Sequence, residues 1–99
     1  MEKKTEKRSV SRVPIHESVS FEMTERDSGR FRNVLGSGMG VDISRLGIGL
    51  STDNPLRRGD VLRINFPVSV TDISLPVYTE VMWSVQEDGK FRAGLRFLA

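Results

Sequence analysis

Apolar residues fall at every second position in four stretches of the chain. In VSFEMT, Val19, Phe21 and Met23 alternate with Ser20, Glu22 and Thr24, and in VLRINF, Leu62, Ile64 and Phe66 alternate with Arg63 and Asn65. VYTEVMWSV places Val77, Val81, Trp83 and Val85 on one side, and FRAGLRF places Phe91, Ala93, Leu95 and Phe97 opposite Arg92 and Arg96. A period of two is the mark of a half-buried strand. Turn signals separate these runs: DNP and RRGD precede the VLRINF strand, and EDGK at Glu87–Lys90 carries the Asp-Gly pair of a tight hairpin. No segment has the pattern of a long amphipathic helix. Several short strands at this spacing predict a small all-β barrel or sandwich. On this reading Trp83, set among alternating valines, belongs to the core.

The alternation breaks at one place. Val41 and Ile43 of VDIS are odd-numbered, whereas Ile48 and Leu50 of GIGL are even-numbered. A regular strand cannot change faces in that way. The chain must therefore bulge or turn between Ser44 and Gly47, with Gly47 best able to supply a positive φ. If Val41 and Ile43 face the core, Asp42 and Ser44 face outward. A carboxylate, a hydroxyl and a glycine then form a small polar ledge; the alternative is an exposed strand end with an Asx-type turn. GSGMG at Gly36–Gly40 lacks the strand–turn–helix context of a phosphate loop and reads as a flexible or bulged hairpin end.

Composition narrows the class. Ninety-nine residues make one domain with a modest core. There is no cysteine, which excludes disulfides and thiolate metal sites. His16 is the single histidine and has no partner set for a metal or a catalytic dyad. With no visible acid–base pair, the expectation is a chain that is not an enzyme. No apolar run reaches the ~18 residues of a membrane-spanning helix, and the first residues lack a signal-peptide apolar core. The expectation is a soluble, cytoplasmic chain without membrane insertion.

Charge is unevenly placed. Residues 1–12 hold five basic residues (Lys3, Lys4, Lys7, Arg8, Arg12) against Glu2 and Glu6, while the remainder has ten basic and eleven acidic. The positive excess thus lies in an arm that precedes a balanced body. Within EKRSVSR, Arg8 and Arg12 stand four apart in a stretch with almost nothing apolar to bury. Alone they read as solvated charges or as two arms of an anion site. A basic arm also suits nucleic acid, but the body lacks the interleaved aromatics that single-strand binders use as stacking platforms.

Taken together, RxxxR at Arg8–Arg12, DxSxxG at Asp42–Gly47 and the closing VYTEVMWSVQEDGKFRAGLRF resemble the PilZ domain family, over nearly the whole chain from Lys7 to about Phe97. The resemblance implies a six-stranded antiparallel β-barrel of split-barrel type that binds the bacterial second messenger cyclic di-GMP. It places the ligand contacts on Arg8, Arg12, Asp42, Ser44 and Gly47, with Lys7 as a further contact. It implies a downstream protein partner and a part in motility or biofilm regulation, and no other cofactor or metal. Two departures stand out: no C-terminal helix follows the last strand, and the bulky Arg45 and Leu46 occupy positions where small residues are common.

The residue types suit that ligand on chemical grounds. Arginine offers a planar fork for phosphate oxygens or for guanine O6 and N7, and it stacks on bases. A carboxylate such as Asp42 accepts from guanine N1–H and N2–H, and Ser44 adds a hydroxyl. The expected organisation is a flexible N-terminal arm over residues 1–12, carrying RxxxR, and one barrel over residues 13–99. The ligand would order the arm over the barrel and change the surface a partner meets. The competing readings are a PilZ-fold adaptor that does not bind cyclic di-GMP and a nucleic-acid-binding small barrel.

Overall fold

A computed structural model describes residues 11–67 and 74–98. Lys7 and Arg8, with most of the basic arm, lie outside the described residues. Six strands follow one another: β1 (Val13–Asp27), β2 (Arg30–Ile43), β3 (Gly47–Thr52), β4 (Val61–Pro67), β5 (Ser74–Glu87) and β6 (Lys90–Phe97). All neighbours are antiparallel, and the sheet closes in the order β1-β2-β3-β6-β5-β4. The six-stranded antiparallel barrel is therefore as expected, and the described residues contain no helix.

The period-two pattern builds the interior. Val19, Phe21 and Met23 enter from β1, Ile48 and Leu50 from β3, Leu62 and Ile64 from β4, Val81 from β5, and Ala93 and Leu95 from β6. Leu56, in the connection before β4, plugs the same core and is 3% exposed. Burying each large side chain contributes about 1.5–3 kcal/mol against the entropy cost of ordering the chain. The connection that carries Leu56 is pinned to β5, since Gly59 N–H donates to Val81 O and Val81 N–H to Asp60 O, both at 2.8 Å. Two buried hydroxyls are satisfied: Thr79 Oγ1 donates to Leu62 O at 3.1 Å and Thr52 Oγ1 to Ser37 O at 2.7 Å.

Two hairpins close on paired positive-φ residues. Asp88 (φ 50°) and Gly89 (φ 77°) form the turn that EDGK predicts. Ser28 (φ 52°) and Gly29 (φ 78°) make the same primed turn between β1 and β2. Ser-Gly is a weaker signal than Asp-Gly, which is why this hairpin and its long strands were not legible beyond Val19–Thr24.

GSGMG is not a hairpin end. It lies inside β2, opposite Ser37-to-Ser20 and Gly36-to-Phe21 partners on β1. A Cβ on Gly36 would stand 2.6 Å from Phe21 Cζ, and one on Gly38 would stand 2.6 Å from Ser51 O. The glycines empty the inner face of β2 so that the large side chains of facing strands can fill it.

Candidate ligand-binding site

Bulges at the barrel rim decide which side chains reach the site. Between β2 and β3 the register slips after Gly40, so that Gly40 faces Leu50 while Asp42 faces Gly49. Leu50 points inward and is 0% exposed. Its neighbour Gly49 therefore faces outward, and so does Asp42. The extra residue is Val41. Asp42 lies on the outer surface, as expected, and its carboxylate rests on Gly49, where a Cβ would stand 2.9 Å from Oδ1.

Residues 44–46 turn the chain from β2 to β3. Ser44 N–H donates to Gly47 O at 2.9 Å, and Leu46 N–H donates to Ser44 Oγ at 3.1 Å. Phe97 N–H donates to Leu46 O at 2.9 Å and so ties the turn to β6. Ser44 therefore caps its own turn while its hydroxyl proton stays available to a ligand. Gly47 is needed for a different reason from the one the sequence suggests. It is absent from the positive-φ glycines, which among the described residues are Gly29, Gly59 and Gly89. Instead, a Cβ on Gly47 would run into the backbone carbonyl of Leu95 on β6.

Arg12, just before β1, meets this ledge. Its Nη1 lies 3.4 Å from Asp42 Oδ1, with the two side chains 49% and 28% exposed. Asp42 Oδ1 is shielded from solvent, yet accepts no hydrogen bond among the described residues. The contact is thus a loose ion pair. At this exposure it is worth about 0–1 kcal/mol, so a ligand with better donors can open it. Arg12, Ser44 and Gly47 line one open cleft of about 600 Å³, together with Leu46, Met82, Trp83, Gly94 and Arg96. Of the first motif Arg12 thus meets the second, about thirty residues on; Lys7 and Arg8 fall outside the described residues.

Trp83 is not a core residue. A second bulge, between β5 and β6, pairs Val81 with Leu95 but Trp83 with Gly94. Met82 is the extra residue. Val81 remains inside at 0% exposure, and Trp83 turns outward at 47%. Its indole lies over Gly94, where any Cβ would collide with Nε1 and Cε2. Unbroken alternation would place Trp83 inside; Gly94 opposite it is the sign in the sequence that it turns outward. The cleft therefore offers an aromatic surface as well as cations and acceptors.

Arg96 on β6 is the other residue that motif spacing missed. It donates to Glu80 Oε1 from Nε at 3.0 Å and from Nη2 at 2.6 Å. Among the described residues no group of three or more His, Cys, Asp or Glu side chains is placed to hold a metal. No described helix is long and apolar enough to cross a membrane.

A closed small barrel with an open, arginine-bearing cleft at its rim has the form of a ligand-binding module. The chain belongs to the PilZ domain family, whose model matches residues 6–99. Among solved structures it is similar to the PilZ domain with c-di-GMP of YcgR from Escherichia coli, with a TM-score of 0.61 and 17% identity over 92% of this chain and 77% of that one. It is also similar to the MrkH–c-di-GMP complex of K. pneumonia, with a TM-score of 0.50 and 18% identity over 93% of this chain and 44% of that one. At these identities the likeness speaks for the fold. No curated protein matches the sequence.

Proposed function

We propose that this domain is a cyclic di-GMP receptor module rather than an enzyme, and that it acts through a partner protein in the cytoplasm. The observation that carries this reading is that Arg12 lines one rim cleft with Ser44 and Gly47 while its guanidinium contacts Asp42. Family membership supports it, as do two neighbours whose structures hold c-di-GMP. Arg8 and Arg12 take phosphate oxygens or a guanine edge, with Lys7 adding charge. Asp42 accepts from guanine N1–H and N2–H once Arg12 moves from it to the ligand. Ser44 donates its hydroxyl, and Gly47 keeps β6 close beneath the turn.

The magnitudes favour that exchange. A charge-assisted hydrogen bond contributes about 1.5–3 kcal/mol, against about 0–1 kcal/mol for the loose, partly exposed Arg12–Asp42 pair. Several such bonds also offset the cost of ordering an arm, about 1–2 kcal/mol per residue. In this reading the ligand draws residues 1–12 over the cleft and alters the surface that the partner meets. Calorimetric titration tests the reading: saturable, enthalpy-releasing binding of cyclic di-GMP is expected, with GMP far weaker. Absence of heat and of displacement at millimolar cyclic di-GMP would reject it.

A further inference from the structure

We propose that Arg96, fixed by Glu80, is a third arginine of the cleft and reads a guanine base of the ligand rather than a phosphate. The assignment rests on the receptor reading above and goes beyond its two motifs.

Arg96 and Glu80 stand directly opposite each other on β6 and β5. Two guanidinium donors converge on a single carboxylate oxygen, at 3.0 and 2.6 Å. This pair is closed, unlike the loose 3.4 Å contact of Arg12 with Asp42. Of the five N–H donors of arginine, three remain after the Glu80 contacts. The side chain is 54% exposed and lines the cleft, so those donors are open to a ligand. Because Glu80 balances its charge, the pair has no net attraction for a phosphodiester. A neutral base does not depend on that net charge.

The neighbouring residue sets the base in place. Gly94, two residues before Arg96 on the same face of β6, carries the Trp83 indole. The backbone positions beneath the indole and at the root of the guanidinium fork, Gly94 and Arg96, are therefore about 7 Å apart along one strand. A base lying on the indole can turn its O6 and N7 edge to Arg96. Guanine presents two acceptors on that edge, whereas adenine presents N7 and an N6 amino donor. The fork satisfies the first and opposes the second.

Cyclic di-AMP has the same sugar–phosphate ring as cyclic di-GMP and differs only in its bases, so it separates the two roles. Both nucleotides are titrated to millimolar concentration into the wild type and into Arg96→Ala, with amide spectra reporting that the barrel is intact. The expected result is a loss of about 5- to 100-fold for cyclic di-GMP, with cyclic di-AMP affinity unchanged or raised. Equal losses for both would make Arg96 a phosphate contact and overturn the assignment. Unchanged affinity for both would overturn it too, while leaving the receptor reading standing. Failure of the wild type to bind cyclic di-GMP would instead remove the receptor reading, and this assignment with it.

Discussion

Replacing Arg8 and Arg12 together by alanine is expected to weaken cyclic di-GMP binding by roughly 10²- to 10⁴-fold. Each arginine is assigned at least one charge-assisted hydrogen bond to the ligand, of about 1.5–3 kcal/mol, and each 1.4 kcal/mol is a factor of ten. Each single variant is expected to lose about one to two powers of ten. The stability of the free protein should hardly change. The Arg12–Asp42 pair is half exposed and loose, and pairs of that kind contribute about 1 kcal/mol or less. Calorimetric titration alongside denaturant unfolding reads both quantities. A double variant that binds within tenfold of the wild type would place the ligand elsewhere on the barrel.

Gly47→Ala is expected to destabilise the fold by about 3 kcal/mol or more. The new methyl meets the Leu95 carbonyl and the Arg96 Cα, which are backbone atoms of an adjacent strand. Backbone in a closed barrel cannot step aside as a flexible side chain can, so β3 and β6 must part. Of a typical total of about 5–15 kcal/mol, this is a large fraction. The substitution also tests why glycine is needed there. If left-handed backbone were the reason, alanine would be strained by conformation; here the collision with β6 is the cause. A shift in the denaturant midpoint, with weakened β3–β6 amide protection, is the expected signature. Full stability in Gly47→Ala would contradict the packing described for this rim.

How much of this was legible in the sequence follows from where alternation is regular. Val19, Phe21, Met23, Leu62, Ile64, Ala93 and Leu95 obey a strict period of two, and all are buried as the pattern predicts. Asp42 was placed outward correctly, although the bulge at Val41 contributes to that placement as well as the turn at 44–46. The errors gather at irregularities. Apolar alternation does not reveal a bulge, so one extra residue at Met82 turns Trp83 from core to cleft, with Gly94 as its one trace in the sequence. The β2 glycines look like a flexible loop until the strands that close over them are known. Arg96 carries no motif, and only the sheet register brings it beside Glu80 and Trp83. Arg8 and Lys7 rest on the sequence alone, since they lie outside the described residues.

The central claim is that Arg8–Arg12 and Asp42–Gly47 are two halves of one cyclic di-GMP site. Backbone amide shifts of the isotope-labelled protein during titration with cyclic di-GMP test it most directly. The expected result is saturable change concentrated at residues 8–12, residues 42–47 and the Trp83 indole N–H, with the arm gaining protection as the ligand binds. No saturable change at millimolar cyclic di-GMP, from a protein whose barrel resonances are intact, would contradict the account.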